Sequence, residues 1–402
     1  MPRTSNIDPQ TLFSKVDSRE AANLVSSMVQ IPSVNPPGNE EGIAQFLAGK
    51  MSEIGLEVET FESAPHRPNV IGRLRGTGGG PVLMLNGHLD VVPPGDPGLW
   101  TVEPFGGEIR HGKVYGRGSA DMRGGLASML LAAKVLREAG VPLKGDLLLT
   151  GVADEEVGGK GANDVVDRGY SADMVVICEP TDLVPLRAHK GILWLEISTA
   201  GNALHSSRVS SKGTWGEVNA IYKMTEVIKA LQNYLTELEK RTNPLVGNPT
   251  VSVGTIIGGT KTNIVPDRCT ITVDRRLLPD ESPEEAKAEI EQILLKLSEQ
   301  DPKLKTDLKV IISRSGAVTP EDSPIVQLSK AAAEEALGKP VEVSGCPATS
   351  DMEVFVNRAG WPTVIMGPGR IGTAHIVDEY IDVDQVVAAA KIYISLALKT
   401  LS

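Results

Sequence analysis

At 402 residues, with 41% hydrophobic and 23% charged side chains, the chain has the makeup of a globular protein too long for one hydrophobic core. A formal charge of −11 argues against nucleic acid as a partner, because phosphates call for a basic face. No run of about 18 apolar residues is present to span a membrane, and the N-terminus, MPRTSNIDPQ, lacks the apolar stretch of a signal peptide. Cys178, Cys269 and Cys346 are too scattered for a disulfide scaffold or a CxxC zinc site, so reduced thiols in a cytoplasmic protein are expected.

Helical spacing of apolar residues predicts helices over 18–30 and 40–54, separated by IPSVNPPG and ended by Gly55. Strands are expected over 56–61 and 69–75. The GTGGG turn at 76–80 lacks the Lys-Ser/Thr of a phosphate loop. Residues 82–85, VLML, read as a buried strand running into NGHLD. In extended chain, residues i and i+2 share a side, so His88 and Asp90 leave the sheet together. A glycine-rich stretch, GKVYGRG, precedes a helix over 124–140, and apolar strands follow over 145–152 and 173–178. This alternation indicates an α/β domain with a mostly parallel central sheet flanked by helices.

The pattern changes near residue 188. Strand 191–199, helix 215–239, strands 250–257 and 269–277, helix 282–300 and strand 304–312 form a β-α-β-β-α-β series, the α+β ferredoxin-like unit. It reads as an insertion. Helix 323–337, strand 362–366 and helix 383–398 restore the α/β character. The expected division is therefore 1–187 and 314–402 for one domain and 188–313 for the inserted one.

Polar residues collect where the apolar strands end. His88 and Asp90 suit a metal site, as two ligands or as a ligand and its orienter. Asp121 stands in GRGSADMRGG before a helix, where capping is the commonest use of Asp. Asp154, Glu155 and Glu156 follow a buried strand; like charges repel there, but at a turn one can bind metal while its neighbour acts as a base. Glu179 follows another strand, and His375 lies in GPGRIGTAH. The carboxyl ends of strands and glycine-rich loops are where active sites of open α/β sheets gather. Two histidines and three carboxylates suit a dinuclear zinc centre.

With these residues in view, the chain resembles the M20 family of metallopeptidases and deacylases. The matching segments are NGHLDVVPPGD, GKVYGRGSADMRGG, ADEEVGGKGA, CEPT, HKG, GNALHSS, GGTKTNIVPD, DRRLLP, TSD and GPGRIGTAHIVDEYI, in order along nearly the whole chain. The resemblance implies a zinc-peptidase-like catalytic domain with an inserted lid and dimerisation domain. It implies His88, Asp121, Glu156, Glu179 and His375 as ligands of two zinc ions, which cobalt can replace, with Asp121 bridging and preceding a cis peptide bond. Asp90 is expected to orient His88, and Glu155 to be the general base. His205 is expected to steady the developing oxyanion, reaching across a homodimer to the partner's metals, while Asn263 and Arg276 hold the substrate carboxylate. Pairing of Arg276 with Asp274 or Asp280 is the structural alternative.

The CEPT, TSD and GPG segments most resemble the acetylornithine deacetylase and succinyl-diaminopimelate desuccinylase branch. Hydrolysis of an N-acyl amino acid is thus expected. A dipeptidase or carboxypeptidase is the alternative within the family, and a non-catalytic binding protein the alternative outside it. One stretch departs from the family pattern. In HSSRVSSKGTWGEVNAI, Val209 stands where a proline is usual, and extra residues before Asn219 lengthen the loop after His205.

Overall fold

The computed structural model describes residues 8–211 and 218–402. The chain forms two compact units, one of Met1–Arg187, Thr319–Ser344 and Ser350–Ser402, the other of Ala188–Val318 with Gly345–Thr349.

In the first unit, helices α1 (Ser18–Val29) and α2 (Glu41–Ile54) precede strands β1 (Glu57–Ala64), β2 (Arg67–Leu74) and β3 (Val82–His88). Asp17 caps α1 by accepting from the Glu20 amide, and Gly55 ends α2 in the left-handed conformation that glycine adopts without strain. Helix α3 (Gly124–Glu138), β4 (Asp146–Val152), α4 (Lys160–Asp167) and β5 (Met174–Pro180) follow, and this stretch of the first unit ends within β6 (Leu186–His189). The sheet order begins β1-β2-β4-β3-β5, and a strand from the returning chain lies next to β5. Strands β4, β3 and β5 are parallel, and β1 and β2 add an antiparallel flank. The parallel strands are covered on both faces and so read as continuous apolar runs such as Leu147–Leu149 and Val175–Cys178. Helix α3 is buried from Gly124 through Ala133, which its run of small and apolar residues permits.

The second unit comprises β7 (Gly191–Ala200), α5 (Ala220–Leu238), β8 (Thr250–Gly258), β9 (Arg268–Leu277), α6 (Pro283–Gln300) and β10 (Thr306–Arg314). Its antiparallel sheet runs β8-β9-β7-β10, the ferredoxin-like order. Both helices bury apolar stripes, including Met224, Val227 and Leu231 of α5 and Ile290 and Leu294 of α6, in a core of its own. The sequence places the start of α5 at Trp215, but Asn219 is extended and caps the helix by accepting from the Ile221 and Tyr222 amides, so α5 begins at Ala220; residues 212–217, in the loop after His205, lie outside the described residues.

The chain then completes the first unit with α7 (Pro324–Leu337), β11 (Thr363–Gly367, parallel to β5) and α8 (Val383–Leu401). Short elements such as the helix Pro9–Phe13 and helix α4 carry too few periodic positions to stand out in the sequence.

Candidate metal centre

The carboxyl ends of β3, β4, β5 and β11 all lie on one side of the sheet, because these strands are parallel and adjacent. His88 ends β3, residues 154–156 follow β4, Glu179 is the penultimate residue of β5, and the loop after β11 carries His375. Asp121 comes from the irregular turn Ser119–Arg123 ahead of α3. It does not cap that helix. Its backbone is extended, the Asp121–Met122 peptide is cis, and its carboxylate points to the two histidines.

The distances divide the donors into two groups that share one carboxylate. His88 Nε2 lies 2.8 Å from Asp121 Oδ1 and 3.3 Å from Glu179 Oε1. His375 Nε2 lies 3.3 Å from Asp121 Oδ2 and 3.2 Å from Glu156 Oε2. Each oxygen of Asp121 thus faces a different imidazole. Glu155 also comes within reach of His88 and Glu179, and Glu156 within reach of His88 and Asp121. His88, Asp90, Asp121 and Glu179 are buried, whereas the His375 side chain is half exposed.

The donor set fits divalent cations. His88 Nδ1 donates to the Asp90 carbonyl at 3.0 Å, which leaves the Nε2 lone pair of a neutral ring facing two carboxylate oxygens. Lone pairs facing one another repel unless a proton or a cation lies between them. A tetrahedral ion bound at 2.0–2.1 Å holds its donors about 3.3–3.4 Å apart, close to three of the four spacings above. The titration behaviour expresses the same demand. Burial acts to lower the pKa of His88, but Glu179, Asp121 and Asp90 outweigh it and raise it well above the usual value. Hydrogen bonds to Asp121 and Glu156 push His375 up to about 11. Burial and the nearby Asp121 charge push Glu179 up to about 8 and also raise Glu156. The Asp121 carboxyl is held low, since its contacts with His375 and His88 overcome burial.

Supporting groups surround this cluster. Both carboxylate oxygens of Asp90 are occupied by backbone, Oδ1 accepting from the Glu155 amide and Oδ2 from the Glu156 amide, each at 3.1 Å. Beneath Asp121, the buried Glu379 accepts from the amides of Ala120 at 3.0 Å and Asp121 at 3.1 Å, and pairs with Arg117. Burial pushes Glu379 up to about 7, against the opposing charge of Arg117. Glu379 lies in the GPGRIGTAHIVDEYI segment, but the sequence gives it no role, because nothing local shows that its carboxylate meets amides more than 250 residues earlier in the chain.

Three expected site residues belong to the second unit. His205 is exposed, and its Nδ1 lies 3.2 Å from the Ser207 amide that donates to it. A neutral ring accepting at Nδ1 carries its proton on Nε2, so that atom is a donor. Asn263 is exposed in the turn before Ile264, and its carbonyl accepts from the Ser206 amide. Arg276 donates through Nε at 3.1 Å and Nη2 at 2.9 Å to one oxygen of Asp274. The pairing with Asp274 is therefore present.

A family model described as Peptidase family M20/M25/M40 matches residues 84–399. The chain is 30% identical to the N-formyl-4-amino-5-aminomethyl-2-methylpyrimidine deformylase of Bacillus subtilis (strain 168), over 96% of each chain. It is 26% identical to a probable succinyl-diaminopimelate desuccinylase of Staphylococcus aureus (strain MSSA476), over 97% of this chain and 99% of that one. An M20 family metallo-carboxypeptidase from Sulfolobus solfataricus shares the fold with a TM-score of 0.79 at 20% identity, covering 94% of this chain and 98% of that one. A dinuclear metal binding peptidase of the family from Bacillus subtilis aligns with a TM-score of 0.69 at 16% identity, over 98% and 99% of the two chains. Fold and donor set together define a metal-dependent hydrolase of linear amides. The chain belongs to the M20 peptidase family.

Proposed function

We propose that this chain is a dinuclear zinc amidohydrolase that removes an acyl group from a small amine, in the first instance from an N-acyl amino acid. The observation that carries the reading is the Asp121 carboxylate, one oxygen 2.8 Å from His88 and the other 3.3 Å from His375. His88 and Glu179 would hold one ion, His375 and Glu156 the other, with Asp121 shared. Two such ions, when bound, would lower the pKa of a water between them and polarise the scissile carbonyl.

The chain's own residues do the rest. Glu155 takes a proton from the attacking water and delivers it to the leaving amine. Its amide is fixed by Asp90, which holds the carboxylate's backbone in register with the site. His205 donates from Nε2 to the developing oxyanion. Arg276 and Asn263 take the substrate's carboxylate; Arg276 spends two donors on Asp274 and retains others of its planar fork for a ligand. The second unit serves as lid and dimerisation domain.

The deformylase and desuccinylase relatives both release an amine from an acyl group, which supports deacylation over peptide cleavage. The test is a hydrolysis screen with zinc- and cobalt-loaded protein against formyl, acetyl and succinyl amides and dipeptides, with elemental analysis alongside. Binding is expected to saturate near two ions per chain, with turnover highest on an acyl amine. Saturation at one ion refutes the dinuclear centre, and turnover confined to dipeptides refutes deacylation.

A further inference from the structure

The segment between α1 and α2 is stitched to the chain leaving β3. The Asn35 amide donates to the Val91 carbonyl at 2.9 Å, the Val91 amide to Ser33 at 3.0 Å, and Ser33 Oγ to the Leu89 carbonyl at 2.6 Å. This brings the buried Asn35 side chain between two carboxylates. Its Nδ2 donates to Asp90 Oδ2 at 2.8 Å and to Asp154 Oδ1 at 3.1 Å. The same Asp154 oxygen accepts from Arg67 Nη1 at 2.7 Å. Behind it, Arg67 Nε lies 3.1 Å and 3.2 Å from the two oxygens of Glu40, which is wholly buried.

The line Glu40, Arg67, Asp154, Asn35, Asp90 ends on the turn that carries Glu155 and Glu156. That turn is gripped twice. Asp154, whose φ of 71° is uncommon for a residue with a side chain, is held by Arg67 and Asn35. The amides of Glu155 and Glu156 are held by Asp90, and Asp90 is itself held by Asn35. Asn35 therefore touches both grips. The loop is shaped around the guanidinium as well. A Cβ on Gly38, at φ +87°, would lie 2.3 Å from Arg67 Cζ.

Stability alone does not call for such a line. Apolar side chains of equal volume would fill the space without desolvating charges, and buried ionic networks seldom add net stability over them. What the line does supply is direction, since each hydrogen bond fixes the angle of the next.

We propose that Asn35, backed by Arg67, is a positioning residue that sets where the Glu155 and Glu156 carboxylates stand. The proposal rests on the roles given above to those two glutamates. It does not involve contact of Asn35 or Arg67 with substrate.

The test uses the full chain stripped of metal and titrated with Co2+ against a competing chelator, reading affinity and the cobalt absorption spectrum, together with kcat and KM of the loaded enzyme. Asn35→Ala is expected to lower Co2+ affinity or kcat by about 10-fold, the lower end of the effect of removing a direct partner of a ligand, since Asn35 acts one step further back through Asp90 and Asp154, with KM changed by less than about threefold. Arg67→Ala is expected to act in the same sense. The double variant should lose clearly less than the sum of the two single losses in free energy, because both side chains act on one turn. Arg67→Lys keeps the charge beside Glu40 and should fold even if Asn35→Ala does not. It is expected to shift the cobalt spectrum and lower kcat while leaving KM in place.

Additive losses in the double variant would overturn the proposal. So would a wild-type spectrum, affinity and kcat in Asn35→Ala, or in Arg67→Lys if only that variant folds. Glu155→Gln measured in parallel separates the two levels. If it keeps full turnover, the assigned roles fail and the inference falls with them. If it abolishes turnover while Asn35→Ala behaves as wild type, only the inference fails.

Discussion

At Asp90 the backbone and the side chain do different things. Its carbonyl takes the His88 Nδ1–H at 3.0 Å, whereas its carboxylate stands 3.6 Å from that nitrogen and binds the amides of Glu155 and Glu156. The expectation gave the Asp90 carboxylate the task of orienting His88; the hydrogen bond from the ring runs to the Asp90 carbonyl instead, and the carboxylate shapes the acidic turn. Within that turn, we propose that Glu155 is the base and Glu156 a ligand. Glu155→Gln keeps shape and hydrogen bonding and is expected to lower kcat by at least about 10²–10⁴-fold with metal content unchanged, whereas Glu156→Gln should lose metal. Elemental analysis and steady-state kinetics on both variants check this; metal lost from Glu155→Gln and kept by Glu156→Gln would reverse the roles. The adjacency of these glutamates is plain in the sequence. Which way each side chain points is not, because a turn does not impose the strict alternation of a strand.

Among the elements, β5 shows how closely the backbone must pack to place Glu179. A Cβ on Gly125 of α3 would lie 2.1 Å from the Cys178 carbonyl oxygen, and one on Gly367 of β11 would lie 2.3 Å from the same atom. The strand end carrying Glu179 is clasped between a helix and a neighbouring strand that approach to backbone contact. In a helix interior, glycine to alanine normally gains about 0.5–1 kcal/mol. Gly49 of α2, with nothing within 4 Å of its added Cβ, should show that gain. At Gly125 the obstacle is backbone, which cannot swing aside. Gly125→Ala is expected to cost about 1–3 kcal/mol net and to weaken metal binding through Glu179. Urea unfolding of the two metal-free variants, with a metal titration of Gly125→Ala, checks the pair; equal stabilisation of both would show that the clasp is loose. The glycines are visible in the sequence, but the carbonyl they admit lies more than fifty residues away from Gly125 and becomes a neighbour only in the fold.

For the whole molecule, we propose that the second unit makes a two-fold dimer and that His205 serves the partner's metals. Strand β8 is an edge of its sheet and exposes Ile256 and Ile257, a surface suited to such a contact. His205→Ala and Glu155→Ala chains should each be nearly inactive. Mixed in equal amounts with subunit exchange, half of the dimers are hybrids, and half of their sites hold both an intact Glu155 and a borrowed His205. Recovery to about a quarter of wild-type activity is therefore expected. No recovery despite exchange, followed by native mass spectrometry, would place His205 in the service of its own chain. Among the described residues, no helix is long and apolar enough to cross a membrane.

The sequence by itself determined the layered α/β unit and the interruption by a ferredoxin-like one, because both follow from local periodicity: apolar runs for covered parallel strands, and stripes at helical spacing over α1, α2, α5 and α6. It also singled out candidate donors, since His88, Asp121, Glu179, His375 and the Glu155–Glu156 pair stand at strand ends or in glycine-rich loops. Only the tertiary structure decided that one Asp121 oxygen faces His88 and the other His375. It also decided that Glu379 carries the Asp121 turn and that Asn35 links Asp90 to Asp154. Those relations are angles and distances between residues far apart in the chain. A buried hydrogen bond is satisfied by whatever donor the fold brings within reach, and no local pattern records which one that will be.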